Sequence, residues 1–241
     1  QAAGTMPEHP VFVKTIVTMD MAARIAADYG VKTVDVLTGF KFIGDQIARL
    51  EAEGRENDYI LGFEESYGYL SGSYVRDKDA VDGAFLICEM AAYYRSKGMG
   101  LLEVLEGLYE KYGFCLNTLH SYEFEGMEGF EKMKGIMNRL HTMASRIAEG
   151  EAVCIGGRKT EAVEDYLSGT ISRADKTTEP IAGLPSSDVL KFRLAGNASV
   201  VVRPSGTEPK LKLYISVSAE DKAKAQAEEE KITAQMEEWF L

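Results

Sequence analysis

Cysteine and histidine are scarce in this chain, and each scarcity closes off a class of protein. The three cysteines, Cys88, Cys115 and Cys154, are odd in number, widely spaced and never in a C-x-x-C pair. That spacing argues against a disulfide framework and a zinc ribbon; reduced, mostly buried thiols of a cytoplasmic protein are expected instead. His9, His120 and His141 lack metal-ligand spacing, so no metal-binding residues are expected. A membrane helix needs roughly 18 consecutive apolar residues, and no run comes near that length. Positive charge is short as well: 27 Lys and Arg against 38 Asp and Glu give a formal net charge of -11. Nucleic acid and anionic membrane surfaces are therefore poor partners, although a local basic loop could still hold a small anion. The leading Gln1-Ala2-Ala3-Gly4 lacks the charged-then-apolar pattern of a signal peptide. Position 1 is Gln and not Met, so the chain is expected to be a piece cut from a longer protein.

What is present is an ordinary globular composition, 45% hydrophobic over 241 residues. That is enough for one large or two modest domains. After a loosely held leading segment of ten residues, Phe12 to Thr18 reads as a strand. Met19 to Tyr29 then carries helical apolar spacing and stops at Gly30. A second strand, Val31 to Leu37, leads through Thr38-Gly39 into a helix from about Phe40 to Glu53. A third strand, Tyr59 to Phe63, delivers Glu64 and Glu65 at its carboxyl end. Strands alternating with helices imply an α/β three-layer domain with a mixed, largely parallel sheet, whose ligands gather beyond the carboxyl ends of strands. Helical periodicity follows over Asp79 to Lys97 and Leu101 to Lys111.

The pattern then changes. Phe114 to Glu125 is extended, and Gly129 to Glu149 is a helix whose Met133, Ile136, Met137, Leu140 and Met143 form a packing stripe. Residues 150 to 188 read as irregular with at most short strands. Val189 to Leu194 and Ser199 to Arg203 flank a turn and form a hairpin. Leu211 to Val217 is a strand, and Ala219 to Phe240 a charged terminal helix. This half is expected to be an α+β domain with an antiparallel sheet, giving domains of residues 1–118 and 119–241.

Two short stretches could carry chemistry. In Arg203-Pro-Ser-Gly-Thr-Glu-Pro209 a rigid guanidinium fork, the hydroxyls of Ser205 and Thr207, and the bare backbone at Gly206 suit an anion such as phosphate. Lys212 follows on the next strand. No helix follows the loop, so it is not a Walker-type cradle; as a lone pattern it also fits a plain strand-to-strand turn. Gly156-Gly-Arg-Lys-Thr160 fails as a Walker loop because Arg158 stands where that motif needs glycine. In Gly62-Phe-Glu-Glu-Ser-Tyr-Gly68, Glu64 and Ser66 lie two apart in an extended segment and could grip paired hydroxyls together, although a solvated acidic turn fits the same spacing. Asp77, Asp79 and Asp82 superficially suggest a calcium loop, but the positions of Val81, Gly83 and Cys88 break its pattern.

The first of these stretches resembles the phosphate-binding loop of the α-D-phosphohexomutases, and the second resembles that superfamily's sugar-binding loop, in the family's order. Thr38-Gly39-Phe-Lys41 is similar to a segment that precedes the sugar loop in glucose-type members. The resemblance implies domains 3 and 4 of a four-domain phosphoglucomutase or phosphomannomutase, the second domain TBP-like. It implies that Glu64 and Ser66 bind the sugar O3 and O4 hydroxyls, that Glu65 supports the loop, and that Thr38 and Gly39 contact substrate. It implies that Lys78 assists substrate binding or proton movement and is the one catalytic candidate. Arg203, Ser205, Gly206, Thr207 and Lys212 would hold the non-reacting phosphate.

The superfamily transfers phosphate from a phosphoserine loop, with Mg2+ held by an aspartate loop, and neither motif occurs in these 241 residues. The parent enzyme is expected to interconvert hexose 1-phosphate and hexose 6-phosphate through glucose 1,6-bisphosphate, with Mg2+ and the phosphoserine supplied by missing N-terminal domains. This segment alone is expected to be inactive. A stand-alone phosphosugar-binding module without chemistry is the alternative, and an interaction domain with ligand-like loops a third.

Overall fold

Three parallel strands joined by two crossover helices build the first half of the chain. In the computed structural model, which describes residues 4–206 and 208–240, the protein divides into two units, Gln1–Tyr112 and Gly113–Leu241. Strand β1 (Val11–Thr15) leads through α1 (Met21–Asp28) to β2 (Lys32–Val36), then through α2 (Phe40–Ala52) to β3 (Tyr59–Glu64). β1 pairs in parallel with β2 on one side and β3 on the other. The crossover from β1 to β2 and the one from β2 back past β1 to β3 run in opposite directions across the sheet, so right-handed connections put α1 and α2 on opposite faces. β4 (Gly68–Leu70) returns antiparallel to β3, giving the order β2-β1-β3-β4, a mixed and largely parallel sheet as the alternating pattern implied.

On one face Phe12 packs with Ala26 and Val31. α2 turns Phe40, Ile43 and Ile47 inward, and all three are buried. Fully burying each such side chain contributes about 1.5–3 kcal/mol. Two further helices, α3 (Ala80–Ser96) and α4 (Leu101–Tyr112), complete the unit. α3 is apolar on several sides and leaves Val81 and Phe85 exposed.

The second unit opens with β5 (Phe114–Glu123), so residue 118 falls in mid-strand and the units meet between Tyr112 and Gly113. Gly113, at that junction, adopts a positive φ of 83°, a backbone that glycine takes without strain. Then come α5 (Gly126–Ala148), β6 (Cys154–Ile155), β7 (Arg158–Asp165), β8 (Thr170–Arg173), β9 (Thr178–Pro180), β10 (Leu190–Leu194), β11 (Ala198–Pro204), β12 (Lys210–Ala219) and α6 (Lys222–Phe240). The sheet is antiparallel throughout, in the order β5-β12-β11-β10-β7-β8-β9, with β6 paired to β7.

Its core lies between the sheet and the helices. Met133, Ile136, Met137 and Leu140 of α5 and Ile232, Met236 and Phe240 of α6 cover Phe192, Val200, Val202, Leu211 and Leu213. Strand alternation then sends Arg203 and Lys212 to the opposite face of the sheet.

Two expectations need correction. Residues 150–188 hold an eight-residue strand, β7, that pairs with both β8 and β10. Its buried Glu164 hid the alternation, because a carboxylate stands where an apolar residue would signal burial. Glu164 is satisfied by bonds from Arg193 and Tyr166, which is what lets an acid sit there. The cysteines are free, but only Cys115 is buried, and Cys88 and Cys154 are exposed.

Candidate functional site

Thr38 and Glu64 stand at the carboxyl ends of β2 and β3, the two strands that flank β1. Thr38 comes two residues after the end of β2, and its Oγ1 is buried with no hydrogen-bond partner among the described residues. A hydroxyl in that state accepts a ligand group at little cost, since it lacks a protein bond to lose. Gly39 next to it has φ 122° and ψ 130° at the N-cap of α2, a backbone that side chains rarely adopt. Lys41, one residue into α2, lies over the Phe42 ring at 4.9 Å.

The sequence Gly62 to Gly68 folds as the β3–β4 hairpin, with Glu64 opposite Gly68 and Glu65, Ser66 and Tyr67 forming a three-residue tip. Glu64 is 7% exposed, packed where a Cβ on Gly68 would strike its Cγ at 2.7 Å. Ser66 is exposed at the tip. Tyr67 adopts φ 60° and is 90% exposed, so a bulky residue occupies the left-handed position that glycine normally fills in such loops. The period-two rule that put Glu64 and Ser66 on one face holds along a strand and stops at the tip.

Lys78 comes from the loop before α3, yet its Nζ lies 3.3 Å from Glu64 Oε1 and 5.9 Å from the centre of the Phe40 ring. Hydrogen bonds through Asp79 and Asp82, and the space left at Gly44, fix that loop. Asp79 caps α3 by accepting from Val81 N at 2.8 Å and Asp82 N at 3.1 Å, and its own N–H donates to Tyr69 O at 2.9 Å. Asp82 accepts from Ser71 N at 2.7 Å and Ser71 Oγ at 2.6 Å. Gly44 on α2 makes room, because a Cβ there would meet Arg76 O at 2.4 Å. Two of the three aspartates that mimicked a calcium loop, Asp79 and Asp82, thus serve as a helix cap and a loop anchor. The backbone bonds at the cap hold the Asp79 carboxyl below its ordinary value, with the Tyr74 hydroxyl adding to the effect.

Behind the hairpin lies a polar cluster that sequence reasoning missed. Lys14 is fully buried, 2.9 Å from Asp35 and 3.2 Å from Asp20. Burial opposes its charge, but the two carboxylates outweigh it and hold the ammonium above its ordinary value. Thr15 and Thr18 beside it reach Glu65. The available signal was a lysine and two threonines in an otherwise apolar run, Val11 to Thr18.

In the second unit, Arg203 stands directly opposite Lys212 on neighbouring antiparallel strands. Like charges placed so are unfavourable, and among the described residues neither has an ion-pair partner. Ser205 N–H donates to Lys210 O at 2.7 Å, closing the turn beyond them. A Cβ at Gly206 would meet no atom within 4 Å, so packing does not require glycine there. Thr207 lies outside the described residues. Among the described residues no group of three or more His, Cys, Asp or Glu side chains could hold a metal ion, and no helix is long and apolar enough to cross a membrane.

The architecture is that of an α/β layer domain followed by an antiparallel α+β domain. The domain described as phosphoglucomutase/phosphomannomutase, alpha/beta/alpha domain III matches residues 1–112. The family's C-terminal domain matches residues 155–233. The chain belongs to the phosphoglucomutase/phosphomannomutase family and carries its domain III and C-terminal domain. A phosphoglucomutase of Staphylococcus aureus strain MRSA252 is 38% identical over 213 residues, 88% of this chain and 37% of its own length. That of strain RF122 is 37% identical over 209 residues, 87% of this chain and 36% of its own. The chain therefore spans a little over a third of the length of these relatives. Among solved structures, the phosphoglucomutase parafusin of Paramecium, in its open form, matches at TM-score 0.62 and 18% identity, over 95% of this chain and 37% of its own. A phosphoglucomutase/phosphomannomutase family protein of Burkholderia thailandensis matches at TM-score 0.51 and 13% identity, over 96% of this chain and 38% of its own. At those identities the likeness is one of fold.

Proposed function

We propose that this chain is the sugar-binding and phosphate-binding part of a phosphoglucomutase that interconverts hexose 1-phosphate and hexose 6-phosphate through a 1,6-bisphosphate. The observation that carries the reading is the buried Glu64 carboxylate held against Lys78 at a hairpin end. A carboxylate accepts from sugar hydroxyls, and the ammonium 3.3 Å away fixes the direction in which it presents its oxygens. Thr38 Oγ1 offers a further contact on the β2 side. Arg203, Ser205, Gly206, Thr207 and Lys212 supply the phosphate grip, and an anion relieves the opposition of the two cations.

Contacts to O3 and O4 suit a bisphosphate that must bind in either direction, since those hydroxyls are similarly placed after the sugar turns around. They do not read C2, so the preference for glucose over mannose rests on the sequence of the Gly62 to Gly68 loop and on the phosphoglucomutase relatives. Mg2+ and the phosphoserine belong, on this reading, to N-terminal domains outside the segment, and a cytoplasmic setting goes with the metabolic role. The segment alone should be silent in a mutase assay, as a non-catalytic binding module would be too.

Calorimetric titration with glucose 1-phosphate and with inorganic phosphate tests the reading. Heat from both is expected, with tighter binding of the sugar phosphate. No heat from either overturns it.

A further inference from the structure

Glu65 sits between the two residues assigned to the sugar, yet its carboxylate is bonded to the far side of the hairpin. Thr15 Oγ1, at the end of β1, donates to Glu65 Oε2 at 3.0 Å, and Thr18 Oγ1 lies 3.5 Å from the same oxygen. The two threonine hydroxyls are 2.8 Å apart. One hydroxyl can donate to the other while the second donates to the carboxylate, a chain in which each bond polarises the next. Thr15 is fully buried and Thr18 is 5% exposed, whereas Glu65 is exposed. The contact therefore joins an exposed three-residue tip to a buried strand end.

The buried side is held in turn by Lys14. Its Nζ donates to Thr18 O at 3.1 Å and pairs with Asp20 and Asp35. Asp35 belongs to β2, three residues before Thr38. One buried ammonium thus ties the β1–α1 turn to the strand that presents Thr38, and that turn grips Glu65.

We propose that Glu65 is a positioning residue: it straps the hairpin tip to Thr15 and Thr18, and thereby sets where Glu64 and Ser66 meet a sugar. The inference rests on the phosphosugar reading of this hairpin. Glu65 acts through its neighbours and touches no reacting atom. The physical need is plain, since Ser66 is exposed and Tyr67 holds a left-handed backbone without a packed ring to fix it. Hydrogen bonds to a charged acceptor are among the stronger ones available to do so.

Thr15→Val keeps the shape of the buried side chain and removes its donor. Amide hydrogen exchange of the 241-residue chain, with titration of glucose 1-phosphate and inorganic phosphate, reads the effect. Thr15→Val is expected to speed exchange at residues 65–67 and to weaken glucose 1-phosphate binding about tenfold. Inorganic phosphate binding should stay unchanged, and Thr15→Ser should restore the parent behaviour. Glu65→Ala, which leaves β1 intact, should reproduce both changes should Thr15→Val not fold. A parent that binds glucose 1-phosphate, with variants matching it in exchange and affinity, overturns the positioning role alone. A parent that binds no glucose 1-phosphate overturns the sugar reading and the inference with it.

Discussion

The Lys78 ammonium stands 3.3 Å from the buried Glu64 carboxylate, although one comes from a loop and the other from a strand end. The pair couples the carboxylate proposed to accept from the sugar to a cation that is itself half exposed. Glu64→Gln keeps the shape and removes the charge. Affinity for glucose 1-phosphate is expected to fall about tenfold, with inorganic phosphate binding intact. Calorimetry on the variant checks this, and equal loss of both ligands points to misfolding instead of lost recognition.

Arg203 and Lys212 face each other across β11 and β12. Removing one of two opposed cations should cost function and spare stability. Arg203→Ala in the intact enzyme is expected to weaken phosphosugar binding by about 2–4 kcal/mol through loss of charge-assisted bonds. The same change should leave thermal stability equal or raised by a few tenths of a kcal/mol. A binding isotherm like the parent's counts against the loop assignment, and a lower melting temperature counts against the repulsion.

Tyr67 carries a positive φ at the hairpin tip with its ring in solvent. A non-glycine residue in the left-handed region costs about 1–2 kcal/mol, and glycine recovers part of that against its own chain entropy. Tyr67→Gly is therefore expected to stabilise the chain by about 0.5–1 kcal/mol in urea denaturation. Stability that falls would show that the ring makes contacts worth more than the strain.

His141 lies between two carboxylates, 3.3 Å from Asp165 through Nδ1 and 2.8 Å from Asp188 through Nε2. The bond to Asp165, and then that to Asp188, raise its pKa from 6.5 to about 9. A raised value means the folded state holds the proton more tightly than the unfolded chain. The stabilisation is complete below pH about 6.5 and is lost as the pH climbs through about 9. With Asp188 half exposed and screened, the loss should be about 1–2 kcal/mol. Urea denaturation at pH 6 and pH 10 measures it, and His141→Gln should flatten that difference.

Much of the fold was legible because it is written in periodicity. The α2 helix from Phe40, the Met133 to Leu140 stripe and the β10–β11 hairpin all lie where the sequence pattern put them. What escaped was polar burial. Glu164 in β7 and Lys14 in β1 carry charges into the interior, and only their partners on other elements, Arg193, Asp20 and Asp35, make that tolerable. No local pattern reports a partner so distant in sequence. The same holds for the site: the loop chemistry of Glu64 and Arg203 could be read from residue types, whereas Lys78 came within reach of Glu64 only through the Asp79 cap and the space left by Gly44.

The most direct test of the ligand assignment is an amide-resolved NMR titration of the 241-residue chain with glucose 1-phosphate. Shifts are expected at Thr38, Glu64, Ser66 and Lys78 in the first unit and at Arg203, Ser205 and Gly206 in the second, and inorganic phosphate should move only the latter set. Saturating ligand that leaves both sets unmoved, or that moves residues elsewhere, would contradict it.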